Sequence, residues 1–321
     1  MGRLRLVATR LATFVVSLLI ASMIVFGLLN LLPGDVATTI LGDQADPASL
    51  EALRQQLGLD RNVVVRYLEW LGNLVRGNFG TSVRTGESIA PMIGPKLTVT
   101  SWLVLTGMLL AIAIAVPFGM FAAWARRRWT GALASAISQV GMAVPAFLAA
   151  IVLVVVFAVK LHWLPANGYV PLGEDPVDWA RHMVLPVVSL ALVQASVLSR
   201  YVRSAFIEVL GEDWFRTARS VGWTTTRAMV RHGLRNAALS LVTVLGLQLA
   251  TLFVGAIVIE QVFALPGLGR ALLEAVQARE LGMVQAIVMI LVSLVLVINA
   301  AVDIYYVAID PRLRSTWGQD R

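Results

Sequence analysis

The chain has 321 residues, of which 58% are hydrophobic and only 14% charged, with a formal net charge of +7 and no cysteine. Soluble domains run near a quarter charged, so this composition excludes an ordinary soluble domain. The absence of cysteine excludes disulfides, thiolate metal ligands and a cysteine nucleophile. The basic excess does not point to nucleic acid, because the arginines collect in short loops and at the ends of apolar runs.

Six charge-free runs cover 11–32, 97–125, 129–159, 183–199, 237–259 and 281–302. A spanning helix needs about 20 mostly apolar residues, so the expectation is an all-α integral membrane protein with six transmembrane helices. The first run is longer than a signal-peptide core, and "NLLPGDVATT" offers no small-residue cleavage site, so it is expected to remain as an anchor. The fourth run is short, but Arg200 and Arg203 can reach an interface along their aliphatic stems.

Residues 1–10 are expected as a cytoplasmic N-terminus, 33–96 as an external helical region, 97–309 as a five-helix core with a cytoplasmic loop at 205–236, and 310–321 as a cytoplasmic tail. In the external region, "DPASLEALRQQLG" has Pro47 at a first helical position, Leu50, Leu53 and Leu57 on one face, and Gly58 as a stop. A second amphipathic pattern follows at Val64, Tyr67, Leu68, Leu71 and Leu74. Sixty-odd residues hold too little core for an independent domain, so this region is expected to pack on the helix bundle.

Orientation follows from charge. The N-terminus, Arg126-Arg127-Arg128, the 200–236 segment and the tail together hold 16 Lys or Arg against 5 acids, whereas the rest holds 10 against 14. The positive-inside rule places the first group, and with it both termini, in the cytoplasm.

Within the runs, Pro117, Pro145 and Pro186 are expected to kink their helices. The amides Gln139, Gln194, Gln248 and Asn299 either hydrogen-bond between helices or line a polar translocation path. Glu260 and Asp303 sit near ends of apolar runs, where placement at the headgroups is expected.

No phosphate loop exists, since neither lysine, Lys96 or Lys160, follows a glycine. The histidines His162, His182 and His232 are dispersed, without an HExxH pattern, and no GxSxG occurs. The expectation is a chain that is no enzyme by itself and holds neither catalytic residue, metal nor cofactor.

Residues 211–240, "GEDWFRTARSVGWTTTRAMVRHGLRNAALS", break the apolar pattern. Asp213 is placed to cap a short helix through Trp214, Phe215, Ala218 and Val221, with Arg216 and Arg219 three apart on a polar face. Gly222 closes that helix, and a second begins after it with Arg227, Arg231 and Arg235 spaced by four. The residues alone describe an Arg-rich helical hairpin that meets either lipid phosphates or a protein partner.

This hairpin resembles the cytoplasmic coupling loop of permease subunits of binding-protein-dependent ABC importers, whose signature is EAA, three residues, then Gly. Here Arg216-Thr217-Ala218 stands at the EAA position with Gly222 in register. "NLLPGD", "LRQQLGLDRNVVVRYLEWLGNLVRGNFGTSVRTG", "LPANGY", "VFALPGLG" and "DPRLR" follow the same family, in order, along the whole chain. The stretch through "RHGLRN" resembles the branch serving dipeptides, oligopeptides and nickel. The chain departs from the family where Asn62, Thr98 and Ser240 stand at positions often held by proline, and where "SVG" replaces Ala-Lys-Gly.

The resemblance implies a type I ABC importer permease fold with a small external insertion after the first span. It implies import of peptides or a related small solute delivered by an external binding protein. The implied partners are a homologous second permease, two ATPase subunits or domains carrying ATP and Mg, and the lipid membrane. By the same resemblance Trp214, Phe215, Thr217 and Ala218 pack in a cleft of the ATPase, Arg216 and Arg219 dock by polar contacts, and Gly222 makes the turn. An ion-coupled secondary transporter and a membrane sensor or scaffold are the other readings that the apolar pattern admits.

Overall fold

The computed structural model describes residues 2–31, 46–56 and 60–309. The "DPRLR" tail, the expected stop at Gly58 and most of "NLLPGD" lie outside the described residues. Helix α1 covers Gly2–Leu31, α2 Pro47–Gln56, α3 Val63–Val75 and α4 Ile89–Trp124. Helix α5 covers Trp129–Ala143, and α6, Ala146–Leu153, continues as a π-helical segment, Val154–Lys160. Helix α7 is Pro176–Val209 and α8 Asp213–Ser220, while α9, Thr225–Ala228, leads through a π turn, Met229–Gly233, into α10, Leu234–Val262. Helices α11, Leu268–Gln277, and α12, Leu281–Ile309, complete the described chain.

Among the described residues five helices are long and apolar enough to cross a membrane unbroken: α1, α4, α7, α10 and α12. The sixth expected span is broken, because α5 and the α6 segment meet at 97°. The prolines explain part of this. Helices α4 and α7 run on through Pro117 and Pro186, whereas Pro145 stands in extended backbone as the N-cap of α6. The fourth span is also longer than its apolar run. Asp175 caps α7, its Oδ1 accepting from the N–H of Val177 at 2.8 Å and of Asp178 at 3.0 Å, so the helix starts seven residues before the run expected at 183–199.

Two compact units divide the chain. The first contains the described residues up to Thr98 and Arg270–Val297. There α3 lays its aromatic face on α1. The Tyr67 ring sits edge-on to Phe26 at 5.5 Å, Trp70 lies tilted against the same ring, and the Ser22 and Tyr67 hydroxyls hydrogen-bond at 2.8 Å. Asn62, one of the departures from family proline, is the N-cap of α3, its Oδ1 accepting from the N–H of Val64 at 2.8 Å. An Asn at this position satisfies an otherwise unpaired helix donor. The buried Ser82 hydroxyl donates to the Glu280 carboxylate, tying the loop before α4 to the start of α12.

The second unit holds Val99–Gly269 and the described residues from Ile298. Helix α7 is its central post: 61% of its most apolar window is buried within the chain. Glycines let neighbours approach it closely. A Cβ on Gly119 would come within 2.8 Å of the Ser199 carbonyl, and one on Gly141 would overlap the Ser196 hydroxyl, so the α4 and α5 backbones lie directly against α7. Glu260, expected at a headgroup interface, is fully buried. Its carboxylate accepts from the Thr100 hydroxyl at 2.6 Å, and that hydroxyl oxygen accepts from the N–H of Leu268 at 2.8 Å. Gly267 is required beside it, since a Cβ there would meet the carboxylate.

Candidate functional site

The hairpin after α7 is built as a rigid elbow. Helix α7 ends at Val209 and the chain turns through Leu210 and Gly211 into α8. Asp213 does not cap α8; Glu212 holds the N-cap position without a side-chain bond, and Asp213 is the first helical residue. There its charge still complements the helix N-terminus.

The far end of α8 closes as a Schellman motif. The N–H of Trp223 donates to the Ala218 carbonyl at 3.2 Å and that of Gly222 to Arg219 at 3.1 Å, with Gly222 at φ +98°. Only glycine adopts that backbone without strain, which accounts for the one glycine on which the segment turns. Thr224 then caps α9, its hydroxyl accepting from the N–H of Arg227 at 3.3 Å.

The elbow is rooted in the helices behind it. Phe215 is buried, and with Ala228 and Met229 it joins a cluster formed by Val202, Ala205, Phe206 and Val209 of α7. Trp214, Ala218 and Trp223 pack against the same cluster. Gly233 allows the π turn to seat against α7, since a Cβ there would lie 3.1 Å from Val209 and 3.2 Å from Phe206. Burying one aromatic side chain contributes roughly 1.5–3 kcal/mol, so these contacts outweigh the exposed Arg216–Asp213 pair at 3.6 Å.

The second limb is fastened by aromatics and cations. His232 lies edge-on to Trp214 at 6.5 Å and tilted on Trp223 at 5.1 Å. The Arg227 and Arg231 guanidinium groups sit over the Trp223 ring at 4.8 and 5.9 Å, and Arg219 Nη1 donates to the Trp223 carbonyl at 2.6 Å.

The seven residues singled out from the sequence therefore divide. Phe215 faces the chain's own core, with Trp214 and Ala218 half-buried beside it. Arg216, Thr217, Arg219 and Gly222 are exposed. Val221, which the sequence reading placed only in the helix, is 74% exposed at the tip. Its position one residue before the turn glycine was the available signal. Trp223, just past that glycine, occupies the place where a Schellman motif seats an apolar side chain.

The four amides divide as well. Gln194 Nε2 donates to Gln248 Oε1 at 2.8 Å, both side chains are buried, and the Thr251 hydroxyl adds a 3.1 Å bond to the same oxygen. Gln139 and Asn299 are exposed and take no part in that pair. Among the described residues no group of three or more His, Cys, Asp or Glu side chains is placed to hold a metal ion.

Comparison with known proteins agrees along the whole chain. Residues 115–315 match the family described as binding-protein-dependent transport system inner membrane component, and residues 3–121 match its N-terminal companion. A protein of Brucella abortus (strain 2308) bearing the name of a peptide transport system permease protein is 40% identical over 309 residues, covering 96% of this chain and 98% of that one. The glutathione transport system permease protein GsiC of Escherichia coli (strain K12) is 38% identical over 311 residues, covering 97% and 99%. In fold, the protein is similar to a chain of the inward-facing MetNI methionine ABC transporter, with a TM-score of 0.55 and 20% identity, over 68% of this chain and 96% of that one. Five unbroken apolar helices and one broken span, a rooted Arg-bearing elbow and these matches lead to one assignment: the chain belongs to the inner membrane components of binding-protein-dependent transport systems, as a multi-pass permease subunit of an ABC importer.

Proposed function

We propose that this permease imports peptides, in the size range from dipeptides to short oligopeptides and glutathione, delivered by an external binding protein. The names of the relatives at 38–40% identity over nearly the full chain support that substrate class. Two ATPase subunits carrying ATP and Mg drive the cycle, and a homologous second permease completes the path. Both termini lie in the cytoplasm, in keeping with the arginine distribution.

The elbow is where the ATPase subunits push. A motor that closes and opens moves membrane helices only through a contact that does not yield. The observation that carries this role is the rooting of the elbow: Phe215, Ala228 and Met229 are locked among Phe206 and Val209 at the end of α7, while Arg216, Thr217, Arg219 and Val221 stay bare on the other side. Displacement of α8 is thus transmitted to α7, the central post of its unit. The bare face supplies guanidinium donors and a small apolar tip, which suit a polar cleft with one apolar recess.

Uptake of labelled dipeptides and glutathione by cells lacking this chain, against cells carrying it on a plasmid, tests the transport reading. Restored uptake that requires ATP supports it. Uptake unchanged by the deletion, or restored in energised vesicles without ATP, refutes it.

A further inference from the structure

The break between α5 and α6 falls near the middle of the charge-free run 129–159. Helix α5 makes its last backbone bond from Val144 N–H to the Val140 carbonyl, and α6 begins with bonds to the Pro145 carbonyl from Leu148 and Ala149. Between them, among the described residues, no donor reaches the carbonyl oxygens of Gly141, Met142, Ala143 and Val144, and no acceptor serves the N–H of Ala146 or Phe147. Pro145 has no N–H to give.

Open backbone of this kind does not survive against hydrocarbon. It persists at membrane depth only where protein covers it or water lines it. This chain leaves it uncovered: Ala143, Pro145 and Phe147 are exposed. The stretch also stands at a polar level of the central helix. Gly141 abuts Ser196, whose hydroxyl is already committed to the Leu192 carbonyl at 2.9 Å, and Gln194, two residues away on α7, bonds Gln248 of α10. Among the described residues no bond from these side chains reaches the break, so its acceptors remain open. No charged side chain lies in the run.

We propose that residues 141–147 are a solute-contacting stretch of the translocation path, at which the open carbonyls accept hydrogen bonds from the ammonium or amide N–H groups of the passing solute. The inference rests on the transport reading above and adds where the solute touches the chain. Acceptors in a row beside two free donors complement a peptide backbone, which carries both. The open carbonyls, for their part, offer nothing to a solute without N–H or O–H donors. Binding of this kind depends on the peptide unit and not on side chains, so it tolerates many sequences.

The protein's lack of cysteine makes the test direct. Ala143→Cys, in the assembled importer in vesicles, is exposed to a water-soluble methanethiosulfonate, with Leu109→Cys, 66% exposed on α4, as the comparison. The expected result is labelling about tenfold faster at position 143, slowed when binding protein, ATP and a saturating dipeptide are supplied. Pro145→Ala, which restores a backbone donor, is expected to lower dipeptide uptake about tenfold while the ATPase subunits still co-purify. Labelling at 143 that is slow or indifferent to dipeptide overturns the proposal. So does cross-linking of Ala143→Cys to a second permease chain, which would mean that protein covers the break. Full uptake by Pro145→Ala also overturns it. Uptake that depends on the chain, combined with an unreactive position 143, sinks the contact site alone and leaves the transport reading standing.

Discussion

Gln194 donates its Nε2 proton to Gln248 Oε1 across 2.8 Å, inside the contact between α7 and α10. Removing Gln248 strands the Gln194 amide, whereas removing Gln194 leaves the Gln248 oxygen with the Thr251 hydroxyl alone. Gln194→Leu is expected to destabilise the detergent-solubilised complex by about 0.6–2 kcal/mol, and the double Leu variant to recover most of that loss. Thermal unfolding of the four members of the cycle measures the coupling.

Gly141 and Ser196 are packed too closely for any side chain at position 141. Gly141→Ala must push α5 from α7, and the expected loss is about 1–3 kcal/mol. Combining it with Ser196→Gly removes the obstructing atoms, and partial recovery of the unfolding temperature would locate the clash in that pair.

Phe215 and Arg216 are neighbours with opposite orientations. Phe215→Ala opens the core cluster and is expected to cost about 3–5 kcal/mol. Arg216→Glu with Arg219→Glu changes exposed side chains and gives up the Arg219–Trp223 bond, so the stability loss should stay at about 1 kcal/mol, roughly a third of that for Phe215→Ala. Yet the charge-reversed chain is expected to lose its ATPase subunits on purification. Unfolding curves and affinity purification, run on the same preparations, separate the two effects.

Gly222 sits at φ +98°, where a β-branched residue is strained by about 1–3 kcal/mol. Gly222→Val should unwind the end of α8 while leaving membrane insertion intact, and ATPase co-purification should fall. Gly222→Asn, which tolerates positive φ better, should be milder.

Much of this was legible in the sequence because lipid simplifies the code. Charge-free runs of about 20 residues leave few alternatives to helix, and Pro47 and Gly222 stand at helix boundaries as turn chemistry requires. What stayed hidden depended on partners distant in sequence. The run at 183–199 understated α7 because Asp175 caps the helix ahead of polar residues that apolarity alone would discard. Asp213 lost the cap to Glu212, a difference of one residue that backbone geometry decides. Pro145 announced a kink but not a 97° break, since Pro117 and Pro186 stand inside unbroken helices. Phe215 read as a contact for a partner because its own partners, Phe206 and Val209, lie on the preceding helix.

Cross-linking from the elbow shows whether α8 meets the ATPase. Val221→Cys puts a single thiol at the bare tip of α8 in a chain that otherwise has none. A photoactivatable thiol reagent attached there, in native membranes, is followed by mass spectrometry of the adduct. The expected product is an adduct with an ATPase subunit whose yield changes between nucleotide-free and ATP-trapped states. Adducts with lipid alone, or ATPase subunits captured only from other parts of the chain, would contradict it.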